Sequence, residues 1–337
     1  MIDKECRRAG ALAAALTGGM MWAPYPATAD PIITLTGPTS NAGTIDLSMA
    51  DGQYGGPVTV GSVTGYSLWG LLGTITTTTP AGDNGKNAIL RYYVLATGAN
   101  GDQSLISLGE IDPNFSGSAT PDLVTVSGNT ASLAFTLLGA AGRDVTDLTS
   151  LQLLSVPALP ALTLPPGSST PPSTSVTLAG NVSFPGAYTF HGSDPRNVSP
   201  IMETVNGDTY TGPPFFALID PSDPNILNQY VVTAGTDGYE VLFSLAELDP
   251  AFGASTLPSP VDLVPYADTT PPGNFPADGI ARIITPGDTP FAHGRWVSNL
   301  DLIEVDTVPE PASAALLTSG LIGMAMGTFR RRRYSRI

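Results

Sequence analysis

The sequence predicts an α+β protein: two tandem mixed α/β domains followed by one C-terminal transmembrane helix. Three observations support this fold class. Residues 93–115 recur at 230–252 with a constant offset of 137, which indicates a domain duplication. Within each copy, β-rich runs that end in glycine turns alternate with short segments that carry helix-start signals. Finally, residues 312–329 contain no charged side chain, as expected of a membrane-spanning helix.

The N-terminal residues 1–29 have the three parts of a signal peptide. An apolar stretch at 9–22 follows a basic region formed by Lys4, Arg7 and Arg8. Ala27 and Ala29 then frame an Ala-x-Ala cleavage site, so we expect signal peptidase to cut there and the mature chain to begin at Asp30. The body is therefore expected to be exported across the inner membrane.

The body between residues 30 and 306 is strongly acidic. It holds 26 of the 29 Asp and Glu residues but only 6 of the 14 Lys and Arg residues, for a formal charge of −20. This charge excludes nucleic acid as a partner, because phosphates would be repelled. The single cysteine, Cys6, lies in the signal peptide, so the mature chain offers neither a disulfide nor a thiolate ligand.

The duplication divides the body into two units. Residues 93–115 align with 230–252 at an offset of 137, and eleven of the 23 aligned positions are identical. Shorter matches extend the repeat on both sides: 64–72 with 211–219, 122–124 with 262–264, and 142–153 with 294–305. We expect unit 1 at 30–156, a Pro-rich extended linker at 157–175 and unit 2 at 176–306.

Each unit is predicted to contain strands and very short helices. The expected strands are 92–96, 230–234, 282–285 and 300–305, and the expected helices are 67–72, 215–219, 107–111 and 244–248. In the last two helices a serine is followed three residues later by Glu110 or Glu247, and an Asp-Pro pair then ends the helix. This spacing favours helix capping for both glutamates over the alternative of catalytic carboxylates.

Other polar groups give weak signals for a site. His191 and His293 could bind a metal together with aspartates, but isolated surface histidines are the commoner case. The oxygen-rich segments 194–197 and 220–225 favour turns over calcium loops. Arg295 and Trp296 favour a surface arginine beside a packed aromatic over a ligand contact. We therefore predict no catalytic residue and no metal ligand.

The order of these segments in unit 2 resembles the oxidoreductase molybdopterin-binding domain of the sulfite oxidase group. The residues that carry the resemblance are 210–219, 231–239, 243–250, 282–288 and 295–305, and unit 1 repeats it more weakly. The resemblance implies an α+β fold and a molybdopterin cofactor. That family ligates molybdenum through cysteine, however, and the mature chain has none, so we expect no cofactor and lean towards a protein that is not an enzyme. The alternatives are a molybdopterin-binding oxidoreductase-like protein or cofactor carrier without that cysteine, and a small-ligand or glycan-binding module.

The tail 308–333 contains three signals in fixed order. Pro309, Glu310 and Pro311 form a short tag that should be extended, because proline disfavours helix in the residue before it. The apolar segment 312–329 would span roughly 27 Å as a helix, close to the thickness of a bilayer core. A basic stop follows at Arg330, Arg331, Arg332 and Arg333, which should stay on the cytoplasmic side.

This arrangement resembles the PEP-CTERM sorting tail, and a plain membrane anchor is the alternative. The resemblance implies three partners: an exosortase-type membrane peptidase, the inner membrane and, outside the cell, exopolysaccharide. It also implies a body that lies in the periplasm or outside the cell, held by one helix or released to the surface or matrix.

Overall fold

The structure is a computed structural model, and it describes residues 31–79, 85–116, 121–136, 140–156, 174–188, 190, 198–253, 261–268, 279–288 and 293–308. The predicted signal peptide, most of the predicted linker and the predicted tail from Pro309 onwards lie outside these residues. Among the helices it describes, none has the length and apolar character needed to cross a bilayer. The predicted transmembrane segment 312–329 is not among them.

The predicted α+β fold class is wrong. The described residues are mostly β-sheet, with 45% strand and 17% helix, in four small sheets arranged as a β-propeller. The α-helices in the described residues have only four or five residues each, so they cannot form the helical layer of the sulfite oxidase-like domains that we expected. The capping signals located helix starts correctly, but an Asp-Pro pair or a turn ends each helix after about one turn.

Unit 1 forms one five-stranded and one four-stranded sheet. The five-stranded sheet has the order β2-β1-β9-β5-β6, and the smaller sheet has the order β3-β4-β7-β8. In the described residues the elements are β1 (Ile32–Thr36), β2 (Gly43–Asp46), β3 (Val58–Val60), β4 (Val63–Ser67), α1 (Leu68–Leu72), β5 (Tyr92–Gly98), β6 (Gln103–Ser107), α2 (Leu108–Ile111), β7 (Leu123–Ser127), β8 (Thr130–Ala134) and β9 (Leu148–Ser155), with 3₁₀ turns at Leu47–Gly52, Ala88–Arg91 and Ala140–Arg143.

Unit 2 repeats this plan. Its five-stranded sheet has the order β11-β10-β17-β14-β15, and a three-stranded sheet has the order β12-β13-β16. The described elements are β10 (Val176–Gly180), β11 (Gly186–Tyr188), β12 (Ile201–Val205), β13 (Asp208–Gly212), α3 (Phe215–Ile219), β14 (Gln229–Gly235), β15 (Glu240–Ser244), α4 (Leu245–Leu248), β16 (Ala267–Asp268) and β17 (Leu300–Thr307), with 3₁₀ turns at Ile226–Asn228, Pro250–Phe252 and His293–Arg295.

The first and last strands of each unit are neighbours. β1 pairs in parallel with β9, and β10 pairs in parallel with β17, while the remaining ladders of both five-stranded sheets are antiparallel. Gly37 lies directly after β1 and Gly180 is the last residue of β10. Both have positive φ, and a Cβ there would collide with the carbonyl oxygen of Leu153 or Val305 on the last strand. The repeat thus keeps glycine where the two strands come closest.

The hairpins β5–β6 and β14–β15 of the two large sheets are covered on both faces. Strands β5 and β14 are almost continuously apolar and buried, as expected of strands that pack on two sides. On β5, Tyr92 and Val94 point into the core of unit 1, whereas Tyr93 and Leu95 point away from it. The outward residues meet their counterparts on unit 2, so the two large sheets pack against each other and place a shared interface at the centre of the molecule.

Candidate functional site at the interface of the two units

The apolar part of the interface has nearly two-fold symmetry. Four residues of unit 1 and their four counterparts in unit 2 form one cluster: Tyr93, Leu95, Leu105 and Val156, with Tyr230, Val232, Leu242 and Val308. The rings of Tyr93 and Tyr230 stack with centroids 5.5 Å apart and an angle of 25° between their planes. Burial raises the pKa of the Tyr93 hydroxyl to about 12, so this contact stays neutral over the physiological range.

In each unit a glycine also packs against a phenylalanine ring of the other unit. Gly142 faces Phe252, because a Cβ at Gly142 would lie 3.1 Å from that ring. The equivalent Gly294 faces Phe115, and a Cβ there would overlap the ring. The absence of a side chain therefore sets the distance between the units at both contacts.

An arginine follows each of these glycines and forms a buried ion pair within its own unit. Arg143 donates from Nη1 and Nη2 to the two carboxylate oxygens of Glu110, and the Nη2–Oε2 distance is 2.8 Å. Arg295 Nη2 lies 2.7 Å from Glu247 Oε2, and its Nη1 lies 3.4 Å from Asp288 Oδ1. No side chain in these pairs is more than 8% exposed, so the pairs are screened from water.

Two serines join the ion pairs across the interface. Ser107 and Ser244 each cap a helix by accepting from the backbone N–H three residues later, at 3.1 Å in both units. Ser107 also donates from Oγ to Glu247 Oε1 at 2.8 Å, and Arg143 Nη2 donates to Ser244 Oγ at 3.3 Å. Each cap therefore belongs to one unit and contacts the ion pair of the other.

The capping interpretation of the two glutamates is correct for one of them. Glu247 completes a capping box, because its Oε1 accepts from the backbone N–H of Ser244 at 2.7 Å. Glu110 occupies the same position in unit 1, but its carboxylate contacts Arg143. Both carboxylates lie in an enclosed network of arginine and serine donors, an environment that favours a structural role over a catalytic one.

The interface gathers more carboxyl groups than cations. The pKa of Asp122 is raised to about 7, by burial first and by Glu110 next, against the lowering effect of Arg143. Burial also raises the pKa of Glu247 to about 7 against the lowering effect of Arg295. The pKa of Asp262, the counterpart of Asp122, is raised to about 7 by burial as well.

These pKa values follow from the balance of charge. The cluster contains five carboxyl groups, of Glu110, Asp122, Glu247, Asp262 and Asp288, and two guanidinium groups. Burial disfavours the charged form of Arg143, but Glu110 raises the pKa of that guanidinium, so the group stays protonated. Three protons on the carboxyl groups would leave two negative charges facing two positive ones. The arrangement can therefore take up and release protons near neutral pH.

A third ion pair connects the units directly. Arg91, at the end of a 3₁₀ turn in unit 1, places Nε 2.7 Å from Oε2 of Glu240 on β15. The two side chains are 2% and 8% exposed. Nearby, Asn87 donates from Nδ2 to the hydroxyl of Tyr239 at 3.0 Å. Both contacts run from unit 1 to unit 2.

Most of the residues singled out in the sequence lie elsewhere. Ala27, Ala29, His191, Pro309, Glu310, Pro311 and the four arginines at 330–333 are outside the described residues. His293 belongs to a 3₁₀ turn, and the part of the chain that the structure covers contains no group of three His, Cys, Asp or Glu side chains placed to hold a metal ion. In the segment 220–225, Asn225 N donates to Asp223 Oδ1 at 2.9 Å, which fits the predicted turn.

The prediction for Arg295 and Trp296 is half correct. Trp296 is packed, with its ring 5.9 Å from that of Tyr210 in an edge-to-face contact, but Arg295 is only 5% exposed and is not a surface residue. Sequence reasoning also missed Arg143. The signal was present, because a body with six basic residues keeps a Gly-Arg pair at the same position of both repeats. Comparison of the chain with protein-family models, curated proteins and solved structures gives no match.

Proposed function

We propose that this chain is an exported cell-surface or exopolysaccharide-matrix protein that an exosortase-type membrane peptidase sorts through its tail. The observation that carries the proposal is the order of three signals at 308–333: the tag Pro309-Glu310-Pro311, the uncharged segment 312–329 and the arginines 330–333. A plain anchor needs the apolar segment and the basic stop, but it has no use for an extended acidic tag on the outer side of the membrane.

The physical roles of the three parts are distinct. The apolar segment would halt transfer and hold the chain in the inner membrane, and the arginines would fix its orientation with the body outside. The two prolines keep the tag out of helix, so a peptidase can bind it in the extended form that proteases recognise. Cutting at the tag would release the body from the membrane.

Support for a non-catalytic body comes from the interface between the units. The carboxylates that resemble catalytic residues most closely, Glu110 and Glu247, are at most 8% exposed and contact arginine and serine donors. A general acid or base must come within hydrogen-bond reach of a substrate proton. An enclosed network of this kind favours cohesion of the body, and we assign the body a binding or structural role in the matrix.

The tail is tested by expressing the full chain in a host that has an exosortase and in the same host without it. The chain with Pro309, Glu310 and Pro311 all replaced by alanine is the test variant, and a chain with Gly52→Ala in the body is the control. We expect the wild type and the control to leave the inner membrane and to lose the mass of the tail only when the peptidase is present. The tag variant should stay in the membrane at full length.

Two results would contradict the proposal. Tail cleavage that does not depend on the peptidase would show that another enzyme processes the chain. Retention of the wild type in the membrane in both hosts would favour the plain anchor. The mass of the N-terminal peptide of the exported body gives a separate check on cleavage after Ala29, because a mature chain should begin at Asp30.

A further inference from the structure

The apolar part of the interface does not by itself distinguish the two units. The 3₁₀ turn Ala88–Arg91 of unit 1 packs against β15, and the equivalent turn Ile226–Asn228 packs against β6. The tyrosines, leucines and valines of the cluster are the same or similar in both copies. A surface of this kind is close to self-complementary, and self-complementary surfaces also allow a unit to pair with the same unit of a second chain.

One ion pair breaks this equivalence. Arg91 and Glu240 face each other at 2.7 Å with almost no exposure. The repeat offset of 137 places Asn228 at the position of Arg91 and Gln103 at the position of Glu240. One side of the interface therefore has a cation against an anion, and the symmetric side has two neutral amides.

Like pairs would not contain this buried ion pair. Two copies of unit 1 would place Arg91 against Gln103 twice, and two copies of unit 2 would place Glu240 against Asn228 twice. Leaving one member of a buried ion pair uncompensated is strongly unfavourable, and such mismatches are a common source of specificity. The unlike pair is the only combination in which the charges cancel.

A second contact acts in the same direction. Asn87 donates to the Tyr239 hydroxyl at 3.0 Å across the interface. At the equivalent positions the chain has Pro224, which has no side-chain donor, and Asp102, so two copies of unit 2 would lack this hydrogen bond and two copies of unit 1 would place Asn87 against the shorter Asp102. This hydrogen bond favours the unlike pair in addition to the ion pair.

We infer that this internal surface accepts only the unlike unit, and that the pair Arg91–Glu240 enforces the choice. Unit 2 is the built-in partner of unit 1, and another copy of the chain can take its place only by contributing its own unit 2. If like units could pair, unit 1 of one chain would join unit 1 of the next and unit 2 would continue the series, which produces open-ended assemblies. The ion pair Arg91–Glu240 favours pairing of the two units of one chain over open-ended assembly of several chains. This inference concerns the body alone and does not depend on how the tail is processed.

The test uses the full chain with a specific protease site placed within residues 157–173 and cut after folding. Native mass spectrometry then shows which fragments pair once the cut chain has been diluted and concentrated again. For the wild type we expect the fragments to remain in one-to-one pairs of unlike units, with like pairs at least about tenfold rarer than random pairing allows. Like pairs at the random frequency would overturn the inference.

The matched variant carries Arg91→Asn and Glu240→Gln together, which gives both units the same neutral residues at these positions. We expect like pairs to rise at least severalfold over the wild type after cutting. If the frequency of like pairs does not change, the ion pair does not select the partner and the inference fails. The reversed pair, Arg91→Glu with Glu240→Arg, checks the result independently of folding losses, because it should return to unlike pairs.

Discussion

Removal of the Arg295 guanidinium tests the buried charge cluster most directly. The change Arg295→Leu keeps much of the apolar stem, which packs against Gly109, and deletes the group that faces Glu247 at 2.7 Å and Asp288 at 3.4 Å. Both carboxyl side chains are 8% exposed, so water cannot replace the lost donor without opening the interface.

The expected cost depends on pH. At pH 8 the variant leaves buried carboxylates without their cation, and breaking such a pair typically costs about 3–5 kcal/mol of the free energy of unfolding. At pH 5 the carboxyl groups of Glu247 and Asp262, which have pKa values of about 7 even beside the arginine, are mostly protonated. The cost should then fall to about 1–2 kcal/mol, the contribution of the lost hydrogen bonds.

The assay is urea unfolding of the full chain at pH 5 and pH 8, followed by circular dichroism. Arg282→Leu is the matched control, because Arg282 lies partly exposed with its guanidinium carbon 5.3 Å from the centre of the Trp296 ring. The control should lose less than about 1 kcal/mol at either pH. A loss of less than about 1 kcal/mol for Arg295→Leu at pH 8, or an equal loss at both pH values, would refute the account of the cluster.

Three further outcomes follow from the same interface. The free energy of unfolding of the wild type should fall as the pH rises from about 4 to about 7, because carboxyl groups whose pKa is raised in the folded state hold protons that the unfolded chain releases; a rise over this window, measured by urea unfolding, would contradict it. Gly294→Ala should cost about 1–3 kcal/mol because the new Cβ overlaps the ring of Phe115, while Gly287→Ala, which meets no atom within 4 Å, should be close to neutral in thermal unfolding. Ser244→Ala should cost about 1–2 kcal/mol in the same assay, because its hydroxyl caps α4 at Glu247, and a loss within error would mean that the cap is dispensable.

The sequence locates local structure well in the best-aligned part of the repeat. Strands β5 and β14, the helices α2 and α4 and the Asp-Pro stops lie where the spacing of serine, glutamate and apolar residues predicts them. These features depend on neighbours within a few residues. Helix length does not follow from the same signals, because a capping box shows only where a helix begins.

Long-range pairing explains the failure of the fold class. The parallel pairing of β1 with β9 joins the two ends of a unit. The local sequence of an alternating segment such as Ile32–Thr36 does not indicate which distant strand it will pair with. The same limit applies to the site. Glu110 and Glu247 have the same local spacing of serine and glutamate. That spacing does not show that Glu110 contacts Arg143, which lies 33 residues further along the chain.

The hairpins β5–β6 and β14–β15 contain a sequence signal for the interface. A strand that is apolar on both faces, such as Tyr92–Gly98, needs cover on both faces. In a chain made of two copies, the counterpart of the same strand is the simplest cover, and the stacked rings of Tyr93 and Tyr230 show that arrangement. The choice between like and unlike pairing depends on single-residue differences between the copies. An alignment of the repeats shows these differences but not which of them decides the pairing.

If the tag is cut as proposed, the placement of Val308 makes folding and proteolysis compete for the same short stretch of chain. Val308 is 7% exposed in the interface, and its N–H donates to the carbonyl of Asn228 at 2.9 Å, one residue before Pro309. Val156 makes the equivalent bond to Arg91 at the point where the chain leaves unit 1. Completion of unit 2 therefore draws the residue before the tag against a folded surface, and even in extended form the three tag residues span only about 10 Å. A peptidase that needs several residues of extended chain before its cut would act fastest on molecules whose last strand has not yet docked, so the rate of docking would set how long the tag remains available.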